Sequence, residues 1–302
     1  MQKLAEKIWM DGELVDWNDA KVHVLSHILH YGSGVFEGIR CYNTDKGPAV
    51  FRLSEHVTRL FESAKICQFP MPYSKDEVIE ATLEVIRVNG LKECYVRPLA
   101  YLGLGSMGIY PKSNPVNLTI AAWPWGSYLG EDGLNKGIKV RTSSFTRHHV
   151  NSAMTRAKVC GYYMNSIFAK QEAISSGSDE ALLLDAEGYV AEGSGENIFI
   201  VRKEILKTPP LTSILDGITR DTIIRLAKDE KIEVKEYRFT RDEVYTASEA
   251  FFTGTAAEVT PIRDLDGREI GPPGPITKKL QALYFDTVKG GKSAYCDWLT
   301  YV

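Results

Sequence analysis

The sequence has no apolar run long enough to cross a bilayer, and its formal net charge of −3 at pH 7 is small for 302 residues. The first absence excludes a membrane-spanning helix, which needs about 20 mostly apolar residues. The small negative net charge argues against the strongly basic surface of a nucleic-acid-binding protein. The hydrophobic fraction of 44% and the charged fraction of 25% are ordinary for a globular enzyme. We therefore expect small-molecule partners, with no nucleic acid and no membrane.

Cysteine is also scarce, with five residues that are scattered along the chain and form no C-x-x-C pair. This pattern indicates free thiols in a reducing compartment rather than a disulfide framework. The first residues lack the apolar stretch of a signal peptide, so we expect a cytoplasmic protein. His23, His27 and His30 do not form an H-E-x-x-H motif, since no acidic residue lies between them, and we expect no metal.

The order of strands, helices and glycines predicts an α+β fold. We expect a small N-terminal α+β domain over residues 1–122, an interdomain loop over 123–135, and a large cofactor-binding domain over 136–302. Short strands broken by glycines in the large domain predict a barrel-like, bent sheet packed by helices. The loop carries Trp125 and Tyr128, which suits a ligand cleft or a hydrophobic plug equally well.

Local signals place several elements. Asp11-Gly12 predicts a hairpin turn. Ser54 is the expected N-cap of a helix that runs to about Cys67, and Ser74–Glu77 is typical of a capping box for the next helix. A further helix is expected from about Ala157 to Ile174.

Lys158 and Glu192 carry the main chemical hypothesis. Lys158 lies among apolar and aromatic neighbours, and burial favours its uncharged, nucleophilic amine. Glu192 precedes Gly193 and Gly195, which permit a close backbone approach. A lysine for a Schiff base and an acid for a pyridine nitrogen are the two parts that pyridoxal phosphate chemistry needs. The alternatives are a surface lysine and a surface glutamate in a glycine turn, and neither motif alone decides.

Two small-residue segments suit a phosphate. Gly217 precedes a helix whose first amides point outward, and such amides bind anions. Thr253–Ala257 offers hydroxyls and amides in a second turn. Arg59, within its helix, is a candidate cation. Each signal is weak by itself.

Tyr95 and Arg97 face the same side of a predicted strand, because side chains alternate along a strand. An arginine beside a tyrosine hydroxyl can bind a carboxylate through two hydrogen bonds. A structural ion pair inside the sheet is the alternative interpretation, and the residues alone favour it slightly.

Taken in order, these segments resemble the branched-chain amino acid aminotransferases of the fold-type IV pyridoxal phosphate class. The resemblance covers nearly the whole chain. The segments that carry it are His30–Arg40, Tyr95–Pro98, Arg156–Asn165, Glu192–Asn197, Gly217–Asp221 and Gly254–Pro261.

The resemblance implies a role for each matching residue. Lys158 forms the Schiff base, Glu192 partners the pyridine nitrogen, and Tyr163 hydrogen-bonds the phenolic oxygen of the cofactor. The implied cofactor-binding residues are Arg59, Lys158, Tyr163, Glu192, Ile218, Thr219 and Thr255. The implied substrate-binding residues are Tyr31, Phe36, Gly38, Arg40, Tyr95, Arg97, Met107, Ile109, Trp125, Tyr128, Thr255 and Ala256. Among them Tyr31 and the 107–109 loop reach a neighbouring subunit's pocket, so a homodimer or higher homo-oligomer is implied.

The implied reaction is a ping-pong transamination between leucine, isoleucine or valine and 2-oxoglutarate, with Lys158 as the catalytic proton shuttle. A D-amino acid aminotransferase or an aminodeoxychorismate lyase of the same fold is the alternative enzyme. A non-enzymatic protein that retains the cofactor is a rival from another class, and the intact Lys158 and Glu192 argue against it.

Overall fold

The computed structural model describes residues 4–126 and 129–302, which form two compact units. The first unit holds the described residues up to Trp125 together with Ala157–Tyr162 and Val288–Val302. The second holds the described residues of Gly126–Arg156 together with Tyr163–Thr287. The chain therefore leaves the first unit and returns to it twice. The predicted division into a domain over residues 1–122, a loop over 123–135 and a domain over 136–302 stays a prediction.

The first unit contains an antiparallel sheet and three α-helices. Its strands are β1 (Lys7–Met10), β2 (Glu13–Asp16), β3 (Gly34–Phe36), β4 (Ile39–Thr44), β5 (Gly47–Phe51), β6 (Cys94–Leu102), β7 (Val116–Trp123) and β17 (Leu299–Tyr301). Its helices are α1 (His27–Tyr31), α2 (Leu53–Ile66) and α3 (Lys75–Val88). The sheet order is β17-β5-β4-β6-β7-β1-β2, and β3 pairs with β6 away from this path.

Local sequence signals account for one turn and one helix start in this unit, but not for the start of α2. Asp11 and Gly12 form the β1–β2 turn with positive φ angles of 48° and 98°, which confirms the predicted hairpin. The Ser74 capping box is also confirmed, since the Ser74 and Glu77 side chains each accept from the other's backbone N–H. The predicted cap at Ser54 is wrong: α2 begins at Leu53 after Arg52, whose backbone is left-handed. Leu53 is buried, so packing favours a helix start two residues earlier than predicted.

The second unit is built on a closed sheet. Its strands are β8 (Ile138–Thr142), β9 (Glu180–Leu184), β10 (Val190–Gly193), β11 (Asn197–Arg202), β12 (Ile205–Thr208), β13 (Val234–Glu236), β14 (Glu249–Gly254), β15 (Glu258–Leu265) and β16 (Arg268–Glu269). Its helices are α4 (Gly130–Lys136), α5 (Tyr163–Ser175), α6 (Ile218–Asp229), α7 (Arg241–Tyr245) and α8 (Pro275–Val288), whose last residue belongs to the first unit.

Closure follows from one extra strand pairing. The order β10-β9-β8-β15-β14-β11 returns to β10 through the pair Glu192 and Asn197, so six strands form a ring. Alternate residues fill such a ring with side chains, and Phe252, Ile198 and Leu182 are fully buried. This confirms the predicted barrel-like sheet, and it places Glu192 at the closing strand pair.

The predicted helix start at Ala157 is wrong. Lys158 lies in non-helical chain, Cys160–Tyr162 form a 3₁₀ turn, and α5 begins only at Tyr163. Val159 pairs with Val35 as an isolated antiparallel bridge, so non-local hydrogen bonds replace the helical ones there. Among residues 4–126 and 129–302, none of the helices combines the length and the apolar character that a bilayer span requires.

Candidate active site

Backbone contacts within the first unit hold Lys158 from both sides. Its N–H donates to the Ser63 hydroxyl on α2 at 3.0 Å, and its carbonyl accepts from the Phe36 N–H at 3.1 Å. Further along the chain, the Gly161 N–H donates to the Gly32 carbonyl at 3.1 Å. A Cβ on Gly32 would lie 2.7 Å from Gly161 Cα, and Gly32 has a φ of +65°, so this approach needs glycine. The half-buried lysine is therefore fixed at its backbone.

Aromatic rings surround the lysine side chain and its neighbours in this unit. The Lys158 ammonium lies 4.8 Å from the centre of the Phe36 ring, and the Arg97 guanidinium lies 4.8 Å from the same centre. Tyr95 contacts Trp125 with ring centres 4.7 Å apart. The structure thus brings Phe36, Tyr95, Arg97, Trp125 and Lys158 into one aromatic cluster, which sequence separation alone did not show.

Arg97, Gly38 and Arg40 complete this part of the site. Arg97 Nε has no hydrogen-bond partner among the described residues, although the atom is buried. Its guanidinium lies over the Phe36 and Tyr95 rings, and the alternative interpretation, an ion pair within the sheet, is not observed among the described residues. A Cβ on Gly38 would collide with the Tyr95 hydroxyl, so this residue must lack a side chain. Arg40 pairs with Tyr95 across β4 and β6 and is 5% exposed.

Arg59 belongs to a buried charged cluster that also contains Glu37 and His56. Glu37 is fully buried and accepts from Arg59 Nε at 2.6 Å, from Arg59 Nη2 at 2.9 Å and from His56 Nδ1 at 2.7 Å. Burial alone raises the pKa of Glu37, but the Arg59 charge and the His56 hydrogen bond outweigh it and hold that pKa well below its ordinary value. Arg59 was predicted as a site residue, but neither Glu37 nor His56 was, although Glu37 lies between Phe36 and Gly38 in the sequence.

Glu192 in the second unit is 5% exposed and held by three donors. Arg147 Nε donates to Oε1 at 2.7 Å, while Asn197 Nδ2 at 3.2 Å and the Leu215 N–H at 3.1 Å donate to Oε2. The surface alternative for Glu192 is therefore wrong. Arg147 was missed because it lies 45 residues from Glu192 in a segment without a motif.

The predicted phosphate segments lie at the start of α6 and between β14 and β15. The N-cap of α6 is Gly217, which has no side chain to cap the first amides, and Ile218 and Thr219 open the helix. A Cβ on Gly217 would collide with Asn197 Oδ1. Asn197 Nδ2 also donates to the Leu215 carbonyl at 3.0 Å, so one amide joins this helix start to Glu192.

The second phosphate segment is a turn at residues 255–257, which joins β14 to β15. Thr255 and Ala256 are half-buried in it. At the end of β14, the buried Thr253 hydroxyl has no hydrogen-bond partner among the residues that the structure describes. Buried hydroxyls usually have a partner, so this atom is available to a ligand at the turn.

The remaining predicted residues lie at other positions in their own units. Tyr163 is the first residue of α5 and is half-buried. Tyr31 stacks on His27 with ring centres 4.4 Å apart and is 48% exposed. Met107 is 41% and Ile109 94% exposed. Tyr128 lies outside the described residues.

Each unit, taken by itself, offers groups that fit pyridoxal phosphate. In the second unit, a helix N-terminus with a glycine cap suits the phosphate, and a buried, cation-paired carboxylate suits a protonated pyridine nitrogen. In the first unit, a lysine with a fixed backbone suits the carbonyl. The Thr253 hydroxyl adds an unsatisfied polar atom beside the turn expected to bind phosphate.

Comparison with known proteins places the chain in a family. Residues 34–265 match the family model described as amino-transferase class IV. The chain therefore belongs to the class IV aminotransferases, and the predicted family and fold class are confirmed.

Individual relatives are similar over almost their whole length. A protein from Pseudomonas aeruginosa, named branched-chain-amino-acid aminotransferase, is 58% identical over 297 residues, which is 98% of this chain and 97% of that protein. A protein of the same name from Escherichia coli is 48% identical over 304 residues, covering 99% and 98% of the two chains. A crystal structure of the branched-chain amino acid aminotransferase from Thermobaculum terrenum, in its PLP-bound holo-form, has a TM-score of 0.93 and 37% identity, and the match covers 99% of each chain.

Proposed function

We propose that this protein is a pyridoxal phosphate-dependent aminotransferase that exchanges amino groups between branched-chain L-amino acids and 2-oxoglutarate. The observation that carries the proposal is the buried Glu192 carboxylate held by Arg147, Asn197 and Leu215, in a chain that also fixes Lys158 among aromatic rings. The comparisons support branched-chain transamination and not the D-amino acid or lyase alternative.

The cofactor, when bound, supplies an electrophilic carbonyl and a protonated ring that withdraws electrons from the substrate's Cα. The Ile218 and Thr219 amides, the Thr255 segment and the Arg59 guanidinium would hold its phosphate. Glu192 would accept the hydrogen bond of the pyridine nitrogen, and the Tyr163 hydroxyl would donate to the phenolic oxygen. Each of these roles is part of the proposal.

Lys158 Nζ would take the α-proton of the amino acid as a base and give it back as an acid. Its backbone is fixed by Ser63 and Phe36, which limits the positions of the amine. Orientation of this kind accelerates proton transfer because the reacting groups need not be brought together anew.

The aromatic cluster supports an apolar substrate pocket. Phe36, Tyr95 and Trp125 provide ring surfaces, and Arg97 offers a guanidinium for the distal carboxylate of glutamate. Leucine, isoleucine and valine differ by one methylene or by branching, which such a pocket separates by only about 1–3 kcal/mol. Gly38, Arg40 and Ala256 border the pocket in this proposal, with Tyr128 as a further candidate.

We also propose a cytoplasmic homodimer or higher homo-oligomer. The five cysteines are free, as expected in a reducing compartment. A group of large apolar side chains in the first unit is more than 40% exposed, which is costly for a monomer. Its members are Val24, Leu25, Leu29, Tyr31, Leu104, Met107, Ile109 and Tyr110. Sedimentation at several protein concentrations tests this part, and a monomer at all of them contradicts it.

The test of function is a half-reaction followed by absorbance of the bound cofactor. L-leucine and L-glutamate, added separately, should each convert the cofactor to its amine form, and D-alanine should not. Lys158→Ala should abolish turnover with any donor. Ordinary turnover in that variant, or conversion by D-alanine alone, would overturn the assignment.

A further inference from the structure

Arg147 contacts the Glu192 carboxylate at 2.7 Å, but what its charge does there has not been assigned above. It lies five residues after β8, and its backbone N–H donates to the Leu184 carbonyl at 2.8 Å, which ties it to the end of β9. Its side chain is 11% exposed, and its Nε lies 2.7 Å from Glu192 Oε1. The guanidinium is therefore anchored at its backbone and nearly removed from water.

The other end of the same guanidinium is also held. Arg147 Nη1 lies 2.9 Å from His148 Nδ1, so a neutral imidazole accepts a hydrogen bond from the arginine. Burial, and then the charge of Arg147, lowers the pKa of His148, which keeps that ring neutral and able to accept. His148 thus orients the arginine without repelling it.

Glu192 needs such a cation because its carboxylate is buried. A buried carboxylate without a cationic partner takes up a proton instead of staying charged. The nearby Glu196 is buried as well, and its burial and the charge of Glu180 raise its pKa to about 8. Glu196 is therefore largely protonated at neutral pH, and Arg147 neutralises the Glu192 carboxylate.

We propose that Arg147 is a positioning residue, which keeps the Glu192 carboxylate ionised and oriented so that Glu192 can hold the cofactor's pyridine nitrogen in its protonated form. This inference rests on the proposed function. Asn197 and Leu215 donate neutral hydrogen bonds to the other carboxylate oxygen, which fix its direction without supplying charge. Without Arg147, a proton would pass to Glu192, and the pyridine nitrogen would become neutral and withdraw electrons less strongly.

The experiment uses the holoenzyme loaded with pyridoxal phosphate that carries nitrogen-15 in its ring. The nitrogen chemical shift distinguishes a protonated from a neutral pyridine and does not depend on turnover. At neutral pH the wild type should show the protonated shift. Arg147→Met should move it to the neutral shift, and Arg147→Lys, which keeps the charge, should retain part of the protonated population. The half-reaction with L-leucine should slow by about 10–100-fold in Arg147→Met, the loss typical of outer partners of ligating groups.

Two further variants separate charge from packing. Arg147→Gln keeps a side-chain N–H donor but removes the charge, so it should also give the neutral shift, and it serves if Arg147→Met does not fold. Arg238→Met removes another arginine–carboxylate contact of the second unit, the 2.9 Å pair with Asp185, and should leave the nitrogen protonated.

The outcomes are distinguishable from failure of the proposed function. A protonated nitrogen in both folded Arg147→Met and Arg147→Gln would overturn the role of Arg147 while leaving the transaminase assignment intact. A neutral shift in Arg238→Met as well would also overturn it, since the effect would then come from general loss of stability. A wild-type protein that binds no pyridoxal phosphate, or does not respond to L-leucine, would refute the proposed function itself.

Discussion

Glu37 in the first unit and Glu196 in the second are both almost completely buried, at 0% and 4% exposed, but they adopt opposite charge states. Glu37 faces the Arg59 guanidinium and the His56 ring, which hold its pKa well below the ordinary value despite burial. Glu196 accepts a hydrogen bond from the Gly195 N–H at 3.0 Å and lies near the Glu180 carboxylate. Burial and that neighbour raise its pKa to about 8. Equal burial therefore does not decide ionisation; the charge placed opposite the carboxylate does.

The pKa values of Glu37 and Glu196 move in opposite directions because the two carboxylates differ in how many cations lie near them. In the second unit Lys170 Nζ lies 2.6 Å from Glu180, which is fully buried, so one cation serves two acids. In the first unit the guanidinium forms two hydrogen bonds to a single carboxylate. The cluster around Glu196 therefore keeps a proton at neutral pH, whereas the Glu37 cluster does not.

The largest effect is expected from breaking the Glu37 cluster. Glu37→Gln removes the charge opposite a nearly buried guanidinium, and loss of one partner of a buried pair costs about 3–5 kcal/mol. Urea unfolding of the cofactor-free protein measures the loss without a contribution from cofactor binding. The double variant Glu37→Gln/Arg59→Met should recover part of it, because no uncompensated charge remains. Additive losses would show that the pair is not the origin of the effect.

A pH series sharpens the comparison, because the two carboxylates act with opposite sign. Glu37 has a lowered pKa, so its contribution to stability is complete above the ordinary value of 4.5 and is lost as the pH falls. Glu196 has a raised pKa, so the folded state binds more protons than the unfolded state between 4.5 and about 8, and stability falls as the pH rises through that window.

Glu196→Gln should remove the fall in stability that Glu196 causes between pH 4.5 and about 8. We expect the variant to lose less stability than the wild type between pH 5 and pH 8, by a difference on the order of a few kcal/mol. Urea unfolding at several pH values gives both curves. Glu131→Gln, at an exposed position in α4, is the matched control and should follow the wild type. Parallel curves for Glu196→Gln and the wild type would show that Glu196 is ionised in the folded protein.

The smallest effect is expected from an ion pair that lacks burial altogether. Lys136 and Asp132 lie 2.9 Å apart on α4 with side chains 70% and 86% exposed. Water and salt screen such a pair, so Lys136→Ala should not change the free energy of unfolding measurably. A loss comparable with that of Glu37→Gln would mean that distance, and not burial, sets the strength of these pairs.

Elements with local signals were predictable from the sequence. Each of these signals depends on residues that are close together in the sequence. They are the Asp11-Gly12 turn, the Ser74 capping box and the start of the helix after Gly217. The start of α5 was not predictable in this way. Val159 pairs with Val35, and Gly161 bonds to Gly32, so backbone groups more than a hundred residues away take the hydrogen bonds that a helix would use.

The residues of the candidate site also differ in whether a local signal or a distant partner identifies them. Lys158, Glu192 and the Gly217 segment could be identified because their residue types and order are distinctive. Arg147, Glu37 and His56 could not be assigned, since a charged residue shows its partner only when the chain is folded. The pairs Arg147–Glu192 and His56–Glu37 join residues 45 and 19 positions apart.

The sequence by itself determined the family to which the chain belongs, and it supplied the candidates for the lysine that forms the covalent bond and for the acid that faces the cofactor. Only the tertiary structure decided the charge states that this chemistry requires. Ionisation of a buried carboxylate depends on the charges and dipoles within a few ångströms, and those neighbours come from distant parts of the chain. For Glu37 and Glu196 alike, the sequence supplied the acidic side chain, and the folded surroundings set whether its pKa is lowered or raised.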